Sequence, residues 1–251
     1  MAEASAAGSD RPSREIVAEA LAAARSEPRL GPHFNPDHLE IDAAGVLTVE
    51  ATVGSLAQKR LALERFGATP GVVGIVDRMH VEPSTPVSDS GIMDHLRRRF
   101  AAEPSFRNLR IQERRADTLV LVQDVLTDAA GEIDLEVADG IVTLDGAAPS
   151  LTCRRFAGAL AWWTPGVRDV INGMAVEPPE EDAPIQIEEA VKFVLEADPL
   201  VEADEIRVGV RGAVVRLTGL AKSFDQRDAA VADAWCVLGV DDVINQIEVH
   251  A

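Results

Sequence analysis

The chain has 251 residues, 47% of them apolar, and a formal net charge of −18. Nucleic acid asks for a basic footprint and an anionic lipid surface for a basic face, so this balance excludes nucleic acid and adsorption of the whole surface to lipid. Two cysteines, Cys153 and Cys236, cannot build a disulfide framework, and no run nears the ~20 apolar residues that span a bilayer.

Residues 1–12 read as a disordered lead. They show no cationic stretch followed by an apolar one, so no signal peptide is visible and a cytoplasmic location is expected. A helix is then predicted from the spacing of Ile16, Val17, Ala20, Leu21 and Ala24. Equivalent stripes recur at Ile92, Leu96, Phe100 and at Ile187, Val191, Leu195. Each ends near a proline (Pro28, Pro104, Pro199), which disfavours helix in the residue before it.

A strand pair around a glycine turn follows each helix. It is clearest as Ile133 to Val137, Ala138-Asp139-Gly140, then Ile141 to Leu144, where period-2 alternation flanks an Asp-Gly turn. Ile206 to Val210 with Val214 to Leu217, and Leu39 to Ile41 with Val46 to Val49, are the counterparts. A second helix comes next, then a Gly-Val turn whose glycine suits a left-handed helix cap, then a last strand.

The windows 46–82, 141–177 and 214–250 align without a gap. Ser55/Ser150/Ser223, Ala62/Ala157/Ala230, Gly71/Gly166/Gly239, Val72/Val167/Val240 and Val81/Val176/Val249 are identical in all three. The serines are placed to cap the second helix of each copy. A repeat this regular predicts three tandem α-β-β-α-β, two-layer α+β domains, at 13–82, 91–177 and 182–250. The middle one carries an insertion near 105–132, expected to add a strand at Leu119 to Val122 and a short helical turn within 124–131. Domains this small are marginal alone, so docking of the second on the third is expected.

The strings IDLEVADGIVTLDG, TPGVRDVINGMAVEP and LGVDDVINQIEVHA resemble the BON domain, the bacterial osmotically inducible and nodulation domain. Copy one is looser, with Ala51 where Gly146 and Gly219 stand and Asp77 in place of Asn172 and Asn245. The resemblance implies a non-catalytic module that binds membrane or phospholipid, with no catalytic residues and no cofactor; relatives include stress proteins, and one type is linked to potassium binding.

The residues themselves point the same way. No phosphate loop or nucleophile elbow occurs. His33 and His38 lack the spacing of a metal site. The acidic run Asp124, Asp128, Glu132, Asp134, Glu136, Asp139 does not follow a calcium loop, and reads as a solvated face. Residues 91–116 hold seven arginines against three acids. Arg97, Arg98, Arg99, Arg107 and Arg110, with Arg154, Arg155 and Trp163 of the next helix, form the candidate binding set. Arg155, Ala159 and Trp163 share one helix face, whose columns elsewhere hold outward residues, so Trp163 is expected to be partly exposed on its own domain. Such a set can meet phospholipid headgroups at the inner membrane face, or another protein. A homo-oligomer and a cation-responsive protein are the further alternatives.

Overall fold

The computed structural model describes residues 13–116, 118–125 and 128–250. The chain falls into two compact units that part between Glu82 and Pro83.

In the first unit, α1 (Ser13–Arg25) precedes β1 (His38–Ile41), β2 (Val46–Val53), α2 (Leu56–Gly67) and β3 (Gly74–Val81). The sheet order is β1-β2-β3. β1 and β2 pair antiparallel, from Leu39↔Val49 to Ile41↔Leu47. β3 returns parallel to β2, which requires the crossover that α2 supplies. Alternate residues of β2 (Leu47, Val49, Ala51, Val53) are buried under the two helices, where Ile16, Ala20, Leu61, Ala62 and Phe66 meet them. Two charged side chains are buried and paired. Glu27 accepts from Arg29 Nε at 2.8 Å and from Arg65 Nη2 at 2.9 Å. Lys59 Nζ donates to Met79 O at 2.7 Å and lies 3.0 Å from Asp77.

The second unit holds two further copies of this order. The first comprises α3 (Asp89–Ala102), a 3-10 turn (Pro104–Phe106), β4 (Leu109–Arg115), β5 (Thr118–Gln123), β6 (Gly131–Ala138), β7 (Ile141–Ala148), α4 (Leu151–Trp162), β8 (Asp169–Asn172) and β9 (Ala175–Val176). The second comprises α5 (Pro184–Ala197), a 3-10 turn (Ala203–Glu205), β10 (Ile206–Arg211), β11 (Val214–Ala221), α6 (Phe224–Cys236) and β12 (Asp242–Val249). Sheet β10-β11-β12 repeats the pairing of the first unit. The other sheet is wider, in the order β5-β4-β6-β7-β8 with β9 also on β7.

The insertion accounts for that width. It adds two strands where the sequence suggested one: β4 runs parallel to β6, and β5 folds back antiparallel on β4. The arginines of β4 obscure in the sequence the alternation of Leu109, Ile111 and Glu113 toward the core. The helical turn expected within 124–131 does not form at 124–125 or 128–131, and 126–127 lie outside the described residues. β4 also corrects the picture of the acidic run. Asp134 is only 8% exposed, since Arg114 of the added strand reaches it at 2.9 Å. Burial raises the Asp134 pKa, its largest influence, against the pull of Arg114.

Ser55, Ser150 and Ser223 cap α2, α4 and α6, accepting from the amides of Gln58, Cys153 and Gln226. The glycines of the Gly-Val turns are not the caps. α2 stops at Gly67 with a right-handed Ala68, and α4 at Trp162 with a right-handed Trp163, so Gly71 and Gly166 lie beyond the caps. Their φ values, with Gly239, are 99°, 89° and 92°. A Cβ at Gly71 would stand 2.8 Å from Ile16, and one at Gly166 2.6 Å from Val87. Glycine is therefore needed twice over, for the left-handed backbone and for close passage of the turn under the opening helix.

Candidate interaction surfaces

The outward column of α4 is not open to water. Arg155 is 2% exposed and Ala159 is fully buried, because the third repeat covers them. Arg155 Nε donates to Leu238 O at 2.8 Å, and its Nη2 reaches both oxygens of Asp182 at 2.7 and 2.9 Å. Trp163 Nε1 donates to Asp233 Oδ1 on α6 at 2.8 Å. The Arg99 guanidinium lies 4.9 Å from the centre of the Trp163 ring, a cation–π distance. Phe156 of α4 meets Phe193 of α5 edge-on at 4.7 Å and continues inward to Phe106 at 5.5 Å. The joint is thus an aromatic core ringed by charge-assisted bonds.

Asp233 is the costly member of this joint. It is 3% exposed, and its Oδ2 is buried without a donor N–H among the described residues, facing the Asp198 carboxyl instead. Burial pushes its pKa up to about 8; the charge of Asp198 adds to this, while the Trp163 bond opposes it. Arg99, on the copy-two side, has its own pKa lowered by burial.

The remaining predicted arginines do not converge on one patch. Arg97 pairs with Glu113 at 3.0 Å and Asp94 at 3.4 Å. Arg98 Nε donates to Asp94 O at 3.0 Å. Arg107 is exposed beyond the first 3-10 turn, and Arg110 stands 3.5 Å from Asp124. Arg154 Nη2 donates to Asn172 O, and Asn172 Nδ2 donates back to Arg154 O, clamping β8 to α4. Most of this charge is spent inside the fold. Among the described residues no group of three or more His, Cys, Asp or Glu is placed to hold a metal ion.

The third repeat carries a different basic face, which the sequence by itself does not display. β10 alternates buried Ile206 and Val208 with exposed Arg207 and Arg211, and β11 exposes Arg216 and Leu220 on the same side. Register places Gly209 beside Arg216, and Arg216 beside the exposed Ile244 of β12. The alternation Ile-Arg-Val-Gly-Val-Arg was the available signal; the acidity of the third repeat as a whole hid it.

Fold and surfaces together define a tandem array of small α+β binding modules, two of them fused through a filled joint. The BON domain model matches residues 118–178 and 186–251, so the chain belongs to the BON-domain family. This is a non-catalytic family, and membership supports a binding or scaffold role. The match covers the third copy and the second copy from β5 onward. No curated protein matches the chain. Two solved structures of CdsD, a structural protein of the Type III secretion system of Chlamydia trachomatis, align with it at low similarity. Its C-terminal domain is 13% identical over 96% of this chain and 100% of that one, with a TM-score of 0.25. The second structure is 14% identical over 94% and 92%, again with a TM-score of 0.25. A TM-score this low carries no inference about a shared fold or role.

Proposed function

We propose that the chain is a non-enzymatic scaffold that binds a partner protein through the outer surfaces of its sheets. In this reading the second and third repeats act as one body. The first repeat is a further, divergent copy of the same domain, supported by its identical element order and by the capping Ser55. The observation that carries the proposal is the fate of Trp163 and Arg155. The side chains best suited to anchor a membrane are consumed holding the second repeat to the third. What remains available is sheet surface.

A second reading has its own observation. Arg207, Arg211 and Arg216 are exposed beside Leu220 and Ile244, with no ion pair among the described residues, an arrangement that suits phosphate headgroups at the cytoplasmic face of a membrane. One experiment separates the two. A Cβ at Gly209 would meet nothing within 4 Å, so a photo-crosslinking residue fits there without disturbing the strand. Crosslinking to protein in cells, with no sedimentation on anionic vesicles, supports the scaffold. Sedimentation on anionic but not neutral vesicles, lost in an Arg207→Glu/Arg211→Glu/Arg216→Glu variant, overturns it in favour of lipid.

A further inference from the structure

The outer faces of two sheets in the second unit carry opposite charges in one pattern. On β10, Arg207 and Arg211 stand either side of Gly209, and register sets Arg216 of β11 beside Gly209. On β6, Glu132 and Glu136 stand either side of Asp134, and register sets Asp145 of β7 beside Asp134. Both sets point away from the helices. The residues that alternate with them, Val208 and Val215 in one sheet and Ile133, Leu135 and Leu144 in the other, are buried in the core. Each set is an isosceles triangle. Its base spans four residues of one strand, about 13 Å, and its apex lies one strand over, about 5 Å away. Such a triangle is its own mirror image, so the arginine set superposes on the acidic set when the two faces meet.

Most of these charges lack a counter-ion. Arg207, Arg211 and Arg216 are exposed and make no ion pair among the described residues, and the same holds for the half-buried Glu132 and Asp145. Glu136 reaches Arg114 only at 3.9 Å. Asp134, between them, is buried against Arg114 and does not project. Burial raises its pKa most; Arg114 opposes this, and the nearby charges of Glu132 and Asp145 raise it further. The face therefore holds negative charge that its own cations do not neutralise. At the centre of the arginine set, Gly209 leaves the surface flat. An exposed isoleucine borders each set: Ile244 beside Arg216, and Ile171 beside Thr143 of the strand that carries Asp145.

We propose that these faces are the two halves of a self-association contact, in which the arginine face of the third repeat of one chain stacks on the acidic face of the second repeat of another copy. This deepens the scaffold reading and rests on it. The occupant follows from charge complementarity, since one chain carries both halves of the match. A single chain cannot close that match on itself. α4 packs on α5 and α6, so the helices of the two repeats face each other and their sheets lie on opposite outer sides of the unit. Two chains cannot close it twice for the same reason. Each contact leaves one face of each kind free, and association extends head to tail.

The contact is small. The sheet of the third repeat presents about 14 by 25 Å. Both faces together would bury about 700 Å², below the roughly 1,200 Å² of stable partners, so association is weak and concentration-dependent. The net charge of −18 opposes it at long range. Salt screens that repulsion beyond about 8 Å at about 0.15 M, whereas the matched charges meet at contact.

The test is analytical ultracentrifugation of the full chain at about 0.15 M and about 1 M salt. The average mass is expected to rise with concentration up to about 1 mM at the lower salt, and to stay that of one chain at the higher. Two variants remove one face each: Glu132→Gln/Glu136→Gln/Asp145→Asn and Arg207→Gln/Arg211→Gln/Arg216→Gln. Each alone is expected to weaken association at least about tenfold. Mixed, they are expected to form a pair that stops at two chains, because each supplies the face the other lacks. That pairing also shows that both variants are folded. A photo-crosslinker at position 209 is expected to reach β6 or β7 of the second copy. A single-chain mass at every concentration overturns the contact. So does growth that either variant leaves intact, or two weakened variants that do not pair when mixed. If self-association is absent while crosslinks from position 209 still reach another protein, the scaffold reading stands without it; crosslinks to lipid alone would remove both.

Discussion

Trp163 and Asp233, 70 positions apart, are joined by an indole N–H···O bond of 2.8 Å that crosses from the second repeat to the third. The bond sits where a half-buried ring meets a buried carboxyl, so each group depends on the other. Trp163→Ala is expected to destabilise the second unit by about 3 kcal/mol through lost packing. Trp163→Phe keeps the ring beneath Arg99 but strands Asp233, at a cost of about 1–3 kcal/mol. Urea unfolding followed by tryptophan fluorescence measures both, since Trp162 and Trp235 remain as reporters in the same unit. Wild-type midpoints in both variants would show that the joint contributes nothing to stability.

Asp233 makes the joint pH-dependent. Its folded pKa of about 8 lies above the ordinary value of 3.8. Between those values the folded state holds a proton that the unfolded chain has released. The stabilisation is thus complete below about pH 4 and is lost as pH rises through about 8. Asp233→Asn keeps an acceptor for Trp163 and needs no proton. It is expected to raise the melting temperature at pH 7.5 and to flatten the dependence across pH 5–8. A steeper dependence in the variant would contradict this account.

Arg155 and Asp182 form an unequal pair, 3% and 58% exposed. Removing the exposed partner leaves a buried guanidinium short of its anion, which is the expensive way to break a salt bridge. Asp182→Ala is expected to cost about 1–3 kcal/mol, discounted for the solvent around the carboxylate. Arg155→Lys is expected to be destabilising as well, because an ammonium cannot match both the fork on Asp182 and the Leu238 carbonyl. Chemical denaturation of the two variants is the check. Equality of Arg155→Lys with the parent would show that charge alone suffices.

Two glycines should respond in opposite directions to alanine. At Gly166, φ is 89° and a Cβ would stand 2.6 Å from Val87, so Gly166→Ala is expected to lose more than about 1 kcal/mol. At Gly209 the backbone is extended and the space is empty, so Gly209→Ala is expected to gain up to about 1 kcal/mol. Thermal scans of the pair test whether the turn glycine is required by geometry.

The three-fold order of helices and strands was legible in the sequence because it rests on local geometry. The 3.6-residue stripe of Ile187, Val191 and Leu195 and the alternation of Ile206 and Val208 follow from where Cβ atoms point along a helix or a strand. Ser55, Ser150 and Ser223 announce helix starts through a bond that closes within three residues. β4 was not legible in this way. Glu113 faces the core there, and Arg97 from α3 with Arg115 beside it makes the buried carboxylate tolerable.

Arg155 shows most directly where local information ends. Asp228 occupies the same column of the third repeat and is exposed, while Arg155 is buried. The α4 column is outward in both repeats; it becomes interior in the second because α5 and the Leu238 turn fold against it. Sequence periodicity determined which side chains leave the sheet-facing stripe of each helix. Tertiary packing alone decided whether they reached water or a neighbouring repeat. Burying Phe156 against Phe193 draws the two repeats together, and that contact desolvates Arg155, Trp163 and Asp233 until each must find a partner.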